Sequence, residues 1–193
     1  MKILLLGPER PRILSYLESL GDEVIRYEVK LNADSPVLEG VDFIVSYGYR
    51  HIIGEDVLRK FARRAINLHI SYLPWNRGAD PNLWSWLEDT PRGVSIHYID
   101  VGLDTGRILA QRKVAFSEDA TLRTSYDKLT AEMQDLFKEV WPNIREHTQE
   151  SFTQADGGSF HKMRDKKEVK HLLHSGWDTP VRDILGKALP ARA

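Results

Sequence analysis

A chain of 193 residues with 41% hydrophobic content can bury one substantial core and is short for two. Its 27 Lys+Arg against 28 Asp+Glu leave a formal charge of -1, and with a pI near 6.7 nothing in bulk electrostatics favours nucleic acid or an anionic membrane surface. Cysteine is absent, which removes disulfides, thiolate nucleophiles and Cys-based zinc sites, and the N-terminal run ILLLG is too short for a signal or spanning segment, so a cytoplasmic protein is expected.

The first apolar run, KILLLG, has the character of a strand covered on both faces. PERPRILSYLESLG follows, with Ile13, Leu17 and Leu20 on one helical face, Pro11 near the start and Gly21 placed to cap the end. DEVIRYEV alternates like a strand, so the chain opens as a βαβ unit and predicts a parallel sheet. The turn between them, GPERPR, has one glycine where a dinucleotide-binding turn carries GxGxxG, which argues against NAD. A loop with a turn around Asp34 to Pro36 leads into VDFIVSYGY, a third buried strand. Val57, Leu58 and Phe61 then recur at helical spacing, and the neighbouring Arg59, Lys60, Arg63 and Arg64 read as a solvated helix face. INLHI is a fourth strand.

The segment INLHISYLPWNRGADPN leaves that strand through a loop with two prolines and a glycine, and NLWSWLED after Pro81 predicts a short helix. Of the tryptophans gathered here, Trp86 is expected to pack beneath the loop and Trp75, beside Pro74, to line a pocket. RGVSIHYID and RILAQRKVAF are two further strands. From Thr121 the positions Leu122, Tyr126, Leu129, Met133, Leu136 and Val140 form the apolar stripe of a long helix that Pro142 is expected to end. The tail is turn-rich at TQADGGSF, basic over HKMRDKKEVKHLLHSG, and predicts a final helix in GWDTPVRDILGKAL starting near Asp178 or Thr179. Its Lys162, Arg164, Lys166 and Lys167 are either a solvated face or a set able to reach a phosphorylated ligand. The expected division is a catalytic domain over 1–150 and a C-terminal extension over 151–193 packed on or beside it.

Asn67 and His69 are two residues apart on a predicted strand, so their side chains leave one face together at a strand end. An oxyanion donor beside a proton-transfer group suits that spacing. Asp104 lies in GLDTG, a loop following the strand VSIHYI, and an Asn, a His and an Asp could therefore converge at two neighbouring strand ends. Spacing alone leaves other readings open: a strand His is often a satisfied core group, an Asp between glycines is often a turn residue, and His97 could simply be packed.

INLHISYLPWNRGADPN followed by SIHYIDVGLDTGRILAQ resembles the signature of the 10-formyltetrahydrofolate-dependent formyltransferases: an Asn-x-His strand end, a Leu-Pro loop with Arg-Gly, and a His-x6-Asp strand and loop in that order. Tyr72 stands where the family has its first Leu. The resemblance spans roughly Lys2 to Trp141. It implies an α/β, Rossmann-like formyltransferase fold with a mostly parallel central sheet flanked by helices, and catalytic Asn67, His69 and Asp104. It further implies N10-formyltetrahydrofolate as co-substrate without a metal, held by Ile70, Leu73 and Pro74 and by Ile99, Asp100, Val101, Gly102 and Leu103. Trp75, Arg77, Gly78 and His97 are expected to contact the acceptor.

The family acts on several amines. A tRNA substrate calls for a basic surface and a second domain, neither expected of a neutral chain of this length, and GPERPR lacks the Gly/Ser/Asn-rich first loop used for a ribonucleotide phosphate. WNRGADPNLWSW is similar to the small sugar N-formyltransferases, so the favoured acceptor is a nucleotide-linked amino sugar of surface glycans, as in a pseudaminic-acid-like pathway. The same region, with VSYGYRHII and TPRGVSIHYID, resembles the formylation domain of linear gramicidin synthetase, whose acceptor is a carrier-bound aminoacyl group. A non-catalytic folate or nucleotide-binding module is a third reading. Partners are thus expected to be small molecules, with no nucleic acid and no membrane, and a homodimer is left open.

Overall fold

Ile3, Leu4, Leu5 and Leu6 are each at most 1% exposed, as befits β1 (Lys2–Leu6), a strand with neighbours on both sides whose alternating side chains are covered on both faces of the sheet. The computed structural model describes residues 1–188; the last five residues of the expected extension, and with them the end of its expected final helix, lie outside the described residues. After β1 come α1 (Pro11–Ser19), β2 (Glu23–Tyr27), β3 (Phe43–Ser46), α2 (Glu55–Lys60), β4 (Ala65–His69), β5 (Arg77–Gly78), α3 (Pro81–Leu87), β6 (Gly93–Tyr98), β7 (Ile108–Lys113), α4 (Leu122–Arg145), β8 (Phe160–His161) and α5 (Lys166–Val169). Six strands form one sheet in the order β2-β1-β3-β4-β6-β7. The pairs β1/β2, β1/β3 and β3/β4 are parallel, with Ile3 opposite Val24 and Phe43, and Ser46 opposite Asn67. The last pair is antiparallel, since Tyr98 N–H donates to Arg107 O and Val114 N–H to Arg92 O, both at 3.0 Å. Among the described residues no helix is long and apolar enough to cross a membrane.

Contacts group the chain into two compact units, each drawn from separate stretches. The first contains Met1–His69, Ile96–Ala110 and Gln134–Thr153; the second contains Ile70–Ser95, Gln111–Met133 and the chain from Gln154 onward. In the first unit Leu4, Leu6, Ile44, Val57 and Phe61 pack in one apolar cluster, as the continuous apolar strands and the spacing in α2 lead one to expect. A second part of that core is aromatic: Trp141 meets Phe43 edge-on at 5.1 Å and stacks on Phe137 at 5.1 Å. Trp141 is fully buried, so truncating it to Ala would cost about 3–5 kcal/mol. The second unit is built on Leu83, Trp84, Trp86, Leu87, Leu122, Val181 and Ile184, with Trp86 buried as expected.

Three expectations are corrected. The long helix runs through Pro142 to Arg145. Proline has no N–H for the carbonyl four residues earlier, that of Lys138, and such a loss usually breaks a helix. Here the Tyr16 hydroxyl donates to Lys138 O at 3.0 Å, and burial raises the Tyr16 pKa above its ordinary value, which keeps the donor protonated. The buried stripe of α4 also differs from the expected one, since Phe137, Trp141 and Ile144 carry it where Val140 is only half-buried.

The final helix is not continuous. Gly176–Asp178 and Val181–Asp183 are single 3-10 turns. Between them the backbone pairs like a strand: Leu122 N–H donates to Thr179 O at 3.1 Å and Val181 N–H to Ala120 O at 2.9 Å. Those bonds draw Thr179 and Pro180 out of helical geometry. Finally, β5 and β8 form a two-stranded parallel pair that hydrophobic patterning does not announce, with Arg77 opposite Phe160 and Gly78 opposite His161.

Candidate active site

β4 ends at His69, so Asn67 and His69 point from one face of its carboxyl end, where parallel sheets present chemistry. Asp104 reaches them from the loop after β6. That loop is folded by its own polar groups: Asp100 Oδ1 accepts from Gly102 N–H at 3.1 Å and from Thr105 Oγ1 at 2.7 Å. Asp104 itself sits in the left-handed region at φ 55. Gly106 lets the chain return, because a Cβ there would stand 1.8 Å from Tyr98 O.

The three side chains meet. Asn67 Nδ2 donates to Asp104 Oδ1 at 3.0 Å, and His69 Nδ1 lies 3.7 Å from Asp104 Oδ2. The His69 and Asp104 side chains are 8% and 9% exposed, so their electrostatics are weakly screened. His97, expected to contact the acceptor, is 2% exposed and instead stands against the same carboxylate. Its Nδ1 donates to Tyr98 O at 2.8 Å, which leaves Nε2 facing Asp104 Oδ1 and Asn67 Nδ2, each at 3.4 Å. A neutral His97 accepts from the amide there, and a charged one donates to the carboxylate. Asp104 is thus the hub of an Asn, His, His cluster that includes His97, whose role spacing left open.

Of the residues expected to hold the folate, Val101 and Leu103 on the Asp100 loop are 73% and 44% exposed, apolar side chains left facing solvent. Leu73, in the second unit, is 1% exposed; its backbone is tied down by its N–H donating to Ser95 Oγ at 3.1 Å and by Gln111 Nε2 donating to its carbonyl at 2.7 Å. The peptide bond from Leu73 to Pro74 is cis. Ile70 and Trp75 are half-exposed. Arg77 is held by Gln154 Oε1 at 3.1 and 3.3 Å. Gly78 serves the backbone, since at φ 86 a Cβ would stand 2.3 Å from His161 O in the β5/β8 pair.

The second unit also holds a cavity of about 460 Å³ whose wall includes Asp80, Tyr126, Lys166, Lys167, Lys170 and Trp177. Lys166 and Lys167 were already marked by the basic tail. Tyr126 looked like core because it falls on the α4 stripe, and Asp80 and Trp177 had no sequence signal.

Residues 29–141, a span that contains Asn67, His69, His97 and Asp104, match the family model described as Formyl transferase. The chain belongs to the formyl transferase family. Among solved members, the formyltransferase PseJ from Anoxybacillus kamchatkensis, in complex with UDP-4,6-dideoxy-4-formamido-L-AltNAc and tetrahydrofolate, is 57% identical, with a TM-score of 0.95 over 97% of this chain and 100% of that one. The N-formyltransferase from Helicobacter canadensis shares the formyl transferase fold at 22% identity, with a TM-score of 0.71 over 86% of this chain and 72% of that one. Methionyl-tRNA formyltransferase of Staphylococcus aureus is 30% identical over 148 residues, which are 76% of this chain and 47% of that protein. The chain thus spans about half the length of the curated relatives it matches.

Proposed function

We propose that this chain transfers a formyl group from N10-formyltetrahydrofolate to the amine of a nucleotide-linked amino sugar. The observation that carries the reading is the likeness to PseJ, 57% identical and matched over its whole length, which was solved with a UDP-linked formamido sugar and tetrahydrofolate. The cluster of Asn67, His69 and Asp104 supports it chemically.

As the acceptor amine adds to the formyl carbon, negative charge grows on the formyl oxygen. Asn67 Nδ2 has one hydrogen on Asp104, and its other contact, to His97 at 3.4 Å, is long enough to be surrendered to a charged oxygen. His69, when protonated, adds a positive group beside that neutral donor. Asp104 orients His69, balances its charge, and helps carry the proton lost by the amine to the N10 nitrogen, so that one C–N bond forms as the other breaks. The exposed Val101 and Leu103 supply an apolar edge for the pterin. A cytoplasmic location is part of this reading.

The test is a panel of nucleotide-linked 4-amino sugars and aminoacyl carriers incubated with 10-formyltetrahydrofolate and read by mass. A 28 Da gain, roughly one formyl group in place of a hydrogen, on a nucleotide sugar alone supports the reading. Formylation confined to the aminoacyl carriers overturns it.

A further inference from the structure

Asp156 and Gly157 form the one Asp-Gly step in the sequence, and they lie in the exposed turn just before β8. Among the described residues the Asp156 carboxyl takes no hydrogen bond or ion pair, and the Gly157 N–H donates to nothing. Gly157 stands at φ 88 with open space where a Cβ would be, so no side chain shields its nitrogen from the neighbouring carboxyl. Other aspartates that precede a small residue are held. After Asp34, the Ser35 N–H donates to Asn32 O at 3.1 Å and Ser35 is buried. After Asp178, the Thr179 N–H donates to Gly176 O at 3.3 Å, while Asp178 itself is paired with Arg123 at 2.7 Å.

A free carboxyl beside a free glycine nitrogen supports cyclisation. The Gly157 nitrogen bonds to Asp156 Cγ, its proton and the carboxyl's hydroxyl leave together as water, and a cyclic imide closes. Water then adds back at one of the two imide carbonyls. Opening at the main-chain carbonyl leaves the chain running through Asp156 Cβ and Cγ, an isoaspartyl link of unchanged composition.

The turn is pinned at both ends to one loop. Gln154 Oε1 accepts from the Arg77 guanidinium at 3.1 and 3.3 Å. On the other side Ser159 Oγ accepts from Asn76 N–H at 3.0 Å, Ser159 O from Arg77 N–H at 2.9 Å, and His161 O from Ala79 N–H at 2.9 Å. Gly158 packs so closely that a Cβ there would stand 2.0 Å from Pro74 O. An isoaspartyl link adds one backbone atom, about 1.5 Å of chain, between these anchors. We propose that Asp156–Gly157 is a site of spontaneous isoaspartyl formation, and that the lengthened turn loosens the β5/β8 pair that holds Arg77. Arg77 is among the residues expected to meet the acceptor, so the modification falls on that part of the chain.

The test ages the intact chain at physiological pH and temperature in water enriched in the heavy oxygen isotope, then digests it with trypsin in ordinary water. Residue 156 is the one Asp in the peptide Glu146–Lys162. Ring opening puts one heavy oxygen into that peptide, a gain of about 2 Da, and divides it into two chromatographic forms, of which the isoaspartyl one resists an aspartate-directed protease. Asp156→Glu, whose longer side chain closes a larger and slower-forming ring, gains no mass and keeps one form, and the peptide carrying Asp34 stays unlabelled. Hydrogen exchange at the Arg77 and Ala79 amides quickens in aged wild type and not in aged Asp156→Glu. An unlabelled Glu146–Lys162 peptide from the intact chain overturns the inference, as does exchange at Arg77 and Ala79 that keeps its unaged rate when the isoaspartyl form is abundant. Neither readout uses enzyme activity, so the inference and the reaction assignment stand or fall separately.

Discussion

Replacing Asp104 by Asn removes one charge while keeping the shape of the cluster. The carboxylate lies 3.7 Å from His69 Nδ1, and with both side chains under a tenth exposed an effective dielectric of ~20 gives about 4 kcal/mol for the pair when the imidazole is charged. If that attraction is realised only as charge develops during transfer, its loss lowers kcat by roughly a thousandfold. The 3.0 Å bond from Asn67 can persist to the oxygen of the new amide, so the fold should hold. Acceptor KM should change little, because no substrate contact is removed. The assay is kcat and KM for the acceptor amino sugar, with a urea midpoint measured on the same preparation. A kcat within threefold of wild type, or a loss of activity that follows a matching loss of folded protein, would refute the reasoning.

Tyr16→Phe should cost about 1–2 kcal/mol by chemical denaturation, because it leaves Lys138 O without its donor, and far less in a Pro142→Ala background, where residue 142 regains an N–H for that carbonyl; equal costs in the two backgrounds would remove this account of the unbroken helix. The Asp178 pKa is lowered by its hydrogen bond from Arg123. A depressed folded-state pKa means stabilisation that is present above the unfolded value of roughly 3.9 and fades as pH falls through the folded one. The Tm difference between wild type and Asp178→Asn should therefore shrink toward zero on acidification below about pH 4, and a difference that grows there contradicts the assignment.

The strands were legible because they follow from periodicity, whereas the Asn67, His69 and Asp104 set was only suggested by spacing and was expected from the family resemblance. Continuous apolar runs can be satisfied only between two covering layers, and the two-residue spacing of Asn67 and His69 puts them on one face of any strand. The structure diverges where distant backbone decides. Pro142 reads as a helix end until Tyr16, far away in sequence, supplies the missing hydrogen bond. Thr179 and Pro180 read as the first turn of a helix until their backbone is claimed by Ala120 and Leu122. The β5/β8 pair depends on a glycine that admits the tail, not on side-chain pattern. His97 was ambiguous for a similar reason, since a strand histidine becomes part of a reactive cluster only through the loop that brings Asp104 to it. The cavity around Trp177 is assembled from segments near residues 80, 126 and 170, each unremarkable by itself.

His69→Ala, assayed by single-turnover formation of the formylated nucleotide sugar, bears most directly on the proposed transfer. Product should fall to background while folinic acid binding and the unfolding midpoint stay at wild-type values. Near-normal turnover in that variant would mean that the strand-end cluster does not run the reaction.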